Sequence, residues 1–207
     1  MAQGCPLSPL LFLFIAEPLT KMVRKDATLT GVKIGAHEHR ISQFADDTAA
    51  YLKDWDQLPR LMELIKKWEA STAMLANKEK TALVPMGALK NRPPPEGLLE
   101  ALGLGEPNTS SYEIYLGVPV ASNRERYKDF IENKYRRIKA KMTSWTAIQK
   151  LSHKGRAMIA DTLVYSRLRY WTQCMAIPDK IHKWIQDDVQ ALISVSYTHL
   201  TLPTIDP

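Results

Sequence analysis

Residues Phe44 to Leu52 read FADDTAAYL, two aspartates side by side inside an otherwise apolar run. Adjacent carboxylates repel, and Asp is depleted from strand interiors, so Asp46 and Asp47 interrupt whatever the flanking residues build. Those flanks, Arg40 to Phe44 and Thr48 to Lys53, carry the Ile, Phe, Thr and Tyr of short strands. The simplest account is an antiparallel hairpin over Arg40 to Lys53 with both carboxylates at its turn. Carboxylates held together at a tip suit a hard divalent cation, because Mg²⁺ takes oxygen ligands and is commonly bound by one or two carboxylates plus substrate phosphates. In two-metal sites the ions lie about 3.5–4 Å apart and stabilise both attacking and leaving oxygens, which is the chemistry of phosphoryl and nucleotidyl transfer. Asp-Asp is also an ordinary turn dipeptide, so a purely structural turn stays open for the pair taken alone.

Working outward from the pair, Ser8 has the position of an N-cap, with Pro9 in the first helical turn. Leu10 to Ile15 is apolar all round, which predicts a buried helix against which the hairpin packs. Pro18 predicts a kink or an early end. Gly31 to Ile34 is a candidate strand. Beyond the hairpin, Asp56 is placed to cap a helix with Leu58, Leu61, Ile65, Trp68 and Leu75 at three- and four-residue steps. Thr81 to Met86 has strand character, residues 91–111 are rich in Pro and Gly and predict a loop, and Tyr112 to Val120 is strand-like again. Ser122 and Glu125 have capping-box spacing ahead of a stripe formed by Tyr127, Ile131, Tyr135, Ile138 and Met142. Further helices are expected from about Lys154 to Tyr170 and from Asp179 to Ile193, with Trp145, Trp171 and Trp184 as core anchors. The order is α+β, followed by a nearly all-helical segment.

Charge divides along the same line. Up to Ser122 there are 13 Lys and Arg against 14 Asp and Glu, a net of −1; from Asn123 to Gln190 there are 15 against 7, a net of +8. A basic excess confined to one segment suggests a polyanion partner there, although a solvated basic helix face has the same composition. With two cysteines in 207 residues, Cys5 and Cys174, no disulfide framework or zinc spacing is present and no disulfide partner is expected. No run reaches the eighteen or so apolar residues that span a bilayer, and an intracellular site, nucleus or cytoplasm, is the expectation. No Gly-rich phosphate loop accompanies the Asp pair, which argues against an unrelated Mg²⁺ phosphotransferase.

Five pieces in order resemble the reverse transcriptases of non-LTR (LINE-type) retrotransposons: QGCPLSPLLF (Gln3 to Phe12), FADDT, NKEKT (Asn77 to Thr81), YLGVPV (Tyr115 to Val120) and TSWTAIQKLSHKGRAMI (Thr143 to Ile159). Group II intron maturases are similar, but favour Tyr before Ala-Asp-Asp and Gly-Gly after Gln; Phe44 and Cys5 fit the retrotransposon pattern. The resemblance implies a partial polymerase palm, its catalytic β-hairpin packed on helices, followed by a mostly helical thumb or connector. It implies that Asp46 and Asp47 are two of three catalytic carboxylates holding Mg²⁺, with Mn²⁺ a possible substitute. Gln3, Gly4, Pro6, Phe44 and Ala45 would line the dNTP and template site, with Ala45 small where a primer end approaches. Lys80 would neutralise or protonate the leaving pyrophosphate, and Leu116 with Gly117 would press on the primer backbone. Lys134, Arg137, Lys141, Lys154 and Arg156 would track phosphates of an RNA template and DNA primer.

This gives a palm over residues 1–122 with the 91–111 loop, a basic thumb over 123–194, and a tail over 195–207 that breaks the pattern and resembles translated adaptor read-through. The family's third Asp, its fingers and its dNTP steric gate precede the Gln-Gly element and have no counterpart here. The expected function is therefore RNA-directed DNA polymerisation by family, with the 207 residues inactive on their own. A domesticated nucleic-acid-binding module without catalysis is the alternative. Oligomeric state is not legible.

Overall fold

The computed structural model describes residues 6–146, 148 and 151–194, and the chain divides into two units, Met1–Thr109 and Ser110–Pro207. Its architecture is α+β: helices with three separate two-stranded antiparallel hairpins.

The first unit opens with helix α1, Ser8–Lys25, which continues through Pro18. Ser8 is the first helical residue rather than the cap; Leu7 takes that position without a side-chain hydrogen bond. Ala16, Leu19, Thr20 and Val23 are buried at three- and four-residue spacing, yet Leu10, Leu13 and Phe14 are exposed, Phe14 by 78%. The expectation of a helix buried all round is therefore corrected. Strand β3 (Ile41–Phe44) and helix α2 (Leu58–Thr72) pack on α1, whose buried positions run from Ala16 to Val23. Just before them the Trp68 indole N–H donates to the Ile15 carbonyl at 2.7 Å.

Strands β1 (Val32–Ile34) and β2 (His37–His39) form one hairpin, and β3 with β4 (Asp47–Ala50) forms the next. Asp54, not Asp56, starts the following helical segment: its carboxylate accepts the Trp55 N–H at 2.7 Å and opens a 3₁₀ turn that leads into α2. Helix α2 ends at Thr72 with Ala73 left-handed, so Leu75 falls outside it and is 85% exposed. Leu58, Leu61, Leu64 and Trp68 join Leu19, Val23, Leu29, Ile41 and Trp55 in one core. Burying an aliphatic side chain of this kind contributes about 1.5–3 kcal/mol, and Ile41 ties the β3–β4 hairpin into this core, whereas β1 and β2 are exposed throughout. Thr81 to Met86 is not a strand: the Asn108 N–H donates to the Leu83 carbonyl at 2.7 Å, but the segment joins none of the three ladders. The expected loop instead holds helix α3 (Leu98–Leu102), flanked by left-handed Gly97 and Gly103, with Leu99 and Leu104 added to the core.

In the second unit, Tyr112 to Val120 is a hairpin, β5 (Glu113–Tyr115) and β6 (Val118–Val120), rather than one strand. It is followed by α4 (Glu125–Thr146), α5 (His153–Ala160), a π-helical turn at Asp161–Tyr165, α6 (Ser166–Thr172) and α7 (Asp179–Ser194). The α4 stripe buries Ile131, Tyr135, Ile138 and Met142 as its spacing predicts, and also Phe130, whose ring meets Tyr112 and Trp171 edge-on at 5.4 and 5.7 Å. Helix α7 completes this core with Ile181, Ile185, Val189 and Leu192. Trp171 is buried and Trp184 stacks on Tyr135, but Trp145 is 40% exposed and anchors no core. The Tyr135 hydroxyl faces the Trp184 carbonyl at 2.9 Å and the Asp188 carboxylate. Burial, then the bond to Asp188 and its charge, holds the phenol above its ordinary pKa. The unit division precedes the compositional break at Ser122 because β6 packs on α4. Residues 195–207, the expected foreign tail, lie outside the described residues.

Candidate active-site hairpin and nucleic-acid face

The β3–β4 register runs Ile41 to Ala50, Ser42 to Ala49, Gln43 to Thr48 and Phe44 to Asp47. Side chains alternate across a strand, so Ile41 and Gln43 share one face and Ser42 and Phe44 the other. The first face lies against α1, since Ile41 is buried and the Thr20 hydroxyl donates to the Gln43 amide oxygen. Asp47, directly opposite Phe44, therefore belongs to the face turned away from α1. Ala45 and Asp46 form the turn itself, and both aspartates are exposed.

Ala45 sits at φ +51°, in the left-handed region. A two-residue hairpin loop favours such a φ at its first central position, where Gly is the usual occupant. An L residue there is disfavoured by about 1–2 kcal/mol, and strain of this sort concentrates at ligand-binding positions. The tip thus presents Phe44, Ala45, Asp46 and Asp47 together, with only a methyl group at the first of its two turn positions.

Of the other proposed dNTP-site residues, Pro6 is exposed, while Gln3 and Gly4 lie outside the described residues. The NKEKT element folds as a single capped turn. The Asn77 side chain accepts the Lys80 N–H, the Thr81 hydroxyl returns to the Asn77 carbonyl, and the Lys78 ammonium donates to the Leu102 carbonyl at 3.0 Å. Lys80 is left exposed. In the second unit, Leu116 and Gly117 are the two central residues of the β5–β6 turn, at φ +50° and +78°.

Between the start of β5 and helix α4, Tyr112, Ile114, Asn133, Lys134, Arg136 and Arg137 line an open groove of about 430 Å³. Lys134 lies over the Phe130 ring at 5.2 Å, and Arg136 pairs with Glu132 at 2.8 Å. Arg137, Lys141 and Lys154 are exposed. Arg156 does not belong with them. It is 1% exposed, and its guanidinium donates to the carbonyls of Ile148, Leu151 and Leu192 at 3.0, 3.3 and 3.4 Å. A guanidinium enclosed by three carbonyls has no path to a phosphate, so its expected contact is corrected to an internal one. Composition cannot separate it from its neighbours; its place one residue after Gly155, on a short helix covered by α7, is what encloses it.

Residues 1–120 match the family described as reverse transcriptase (RNA-dependent DNA polymerase). The chain belongs to that family. It is also similar to the Transposon TX1 uncharacterized 149 kDa protein of Xenopus laevis, 29% identical over 180 residues, which is 84% of this chain and 13% of that protein. The chain thus spans about an eighth of the curated relative it matches. The donor set of the FADDT hairpin, two exposed and adjacent carboxylates at its turn, has the oxygen chemistry that a hard cation takes. Among the described residues no group of three or more His, Cys, Asp or Glu is arranged to hold a metal. None of the described helices is long and apolar enough to cross a membrane.

Proposed function

We propose that this chain is the palm-and-thumb part of an RNA-directed DNA polymerase of a non-LTR retrotransposon, with an RNA template, a DNA primer and dNTPs as substrates. The observation that carries the reading is the Asp46–Asp47 pair at a hairpin tip bent through a strained alanine. Asp46 and Asp47 would hold Mg²⁺, or Mn²⁺ in its place. The bound cations would supply charge to stabilise attacking and leaving oxygens. The small Ala45 leaves room for the primer end, and Phe44 borders the dNTP. Lys80 would meet the leaving pyrophosphate, and Leu116 with Gly117 would hold the primer strand. Lys134, Arg137, Lys141 and Lys154 would neutralise phosphates. Two carboxylates brace one side of a metal pair, so the 207 residues alone are expected to be inactive.

Primer extension on poly(rA)–oligo(dT) with Mg²⁺ tests this. The bare chain should give no product. The chain joined to the fingers and first palm strand of a longer family member should give product that Asp46→Ala abolishes. Extension that survives Asp46→Ala would refute the assignment of the pair.

A second reading, a nucleic-acid-binding module without catalysis, is favoured by the +8 segment and the groove beside α4. It predicts salt-steep duplex binding together with no extension in either context.

A further inference from the structure

The β5–β6 turn is tied to a distant helix. The Tyr170 hydroxyl on α6 donates to the Leu116 carbonyl. Its ring lies beside Gly117, where a Cβ would come within 3.4 Å of it. Both turn residues are left-handed, and Leu116 is the one of the two for which this conformation is unfavourable. A turn that strained needs an outside restraint to stay in one shape, and among the described residues Tyr170 supplies a hydrogen bond and a flat surface against it.

Tyr170 is also placed for the task in an unusual way. It is 43% exposed, while its neighbour Trp171 is buried in the core at 6%. The π-helical turn at Asp161–Tyr165 precedes α6. One such turn inserts an extra residue and changes which residues of the following helix face inward; these turns recur at functional sites. Trp171 fixes α6 in the core, and the adjacent Tyr170 is thereby aimed at the turn.

We infer that Tyr170 is a positioning residue: it holds the Leu116–Gly117 turn in the one conformation that can engage the primer strand. The inference rests on the reading of that turn as the primer contact. Tyr170 itself touches no substrate in this arrangement; it acts through the Leu116 carbonyl.

The test uses the 207-residue chain and the variant Tyr170→Phe, which keeps the ring and removes the hydroxyl. Amide hydrogen exchange at Tyr115 and Val118, the pair that closes the turn, should accelerate roughly fivefold, the factor for one net hydrogen bond, with exchange in α4 and α7 unchanged. Crosslinking of a photoreactive nucleotide at the primer 3′ end to this turn should fall by a similar factor, and Gly117→Ala should lower it as well. Unchanged exchange at Tyr115 and Val118 in Tyr170→Phe overturns the inference. Faster exchange with crosslinking insensitive to both variants overturns the primer reading of the turn, and with it the role assigned to Tyr170. Faster exchange throughout α4 and α7 marks Tyr170 as a general packing residue and also overturns the inference.

Discussion

Replacing Arg156 by alanine should destabilise the second unit without touching nucleic-acid affinity. The guanidinium makes three bonds to main-chain carbonyls, at 3.0 Å to Ile148, 3.3 Å to Leu151 and 3.4 Å to Leu192. Hydrogen bonds from a charged donor contribute about 1.5–3 kcal/mol each, but two of these are long, so the Ile148 bond should dominate. Truncation leaves three carbonyls short of a donor and opens a cavity between α5 and α7. Against this, it removes a buried cation whose desolvation opposed folding. The net expectation is a loss of about 3 kcal/mol. Lysine should recover less than half of it, because one ammonium cannot reproduce the guanidinium fork. Urea unfolding followed by tryptophan fluorescence measures this loss, with duplex binding measured in parallel under conditions where both proteins are folded. An Ala variant with an unchanged midpoint and weakened duplex binding would refute the internal role and restore Arg156 to the phosphate face.

Ala45→Gly should relieve the left-handed strain at φ +51° and raise stability by up to about 1 kcal/mol, read as a higher urea midpoint at unchanged slope. A lower midpoint would show that Ala45 is not strained. Asp26 gives a pH prediction. Its bonds to Thr28, chiefly, and its pairing with Arg60 at 2.9 Å lower its pKa to about 2. A group depressed in the folded state stabilises above its unfolded pKa and loses that contribution as pH falls through the folded value. Stability should therefore decline between about pH 4 and pH 2. Asp26→Asn should flatten that part of the profile, and an unaltered profile in the variant would contradict the pairing.

Much of this was legible because it is local. The β3–β4 hairpin follows from two β-prone flanks and a polar pair, and the α4 stripe follows from spacing alone. Burial was less legible where it depends on partners distant in sequence. Leu10, Leu13 and Phe14 carry the composition of a buried helix, but the buried residues of α1 are Ala16, Leu19, Thr20 and Val23, on the turns that follow them. Thr81 to Met86 has strand residues and no strand to pair with. Arg156 has the composition of its basic neighbours and sits under α7. The left-handed Ala45 was hidden for a different reason: alanine carries no turn signal, and only the two-residue connection between β3 and β4 imposes that conformation.

Whether Asp46 and Asp47 bind a cation as a pair is read by Mn²⁺ titration of the 207-residue chain, followed by paramagnetic broadening of its amide resonances. Binding should be weak, with broadening centred on residues 44–48, reversed by excess Mg²⁺ and abolished by Asp46→Asn with Asp47→Asn. Broadening that avoids this turn, or that survives loss of both carboxylates, would contradict binding by the pair.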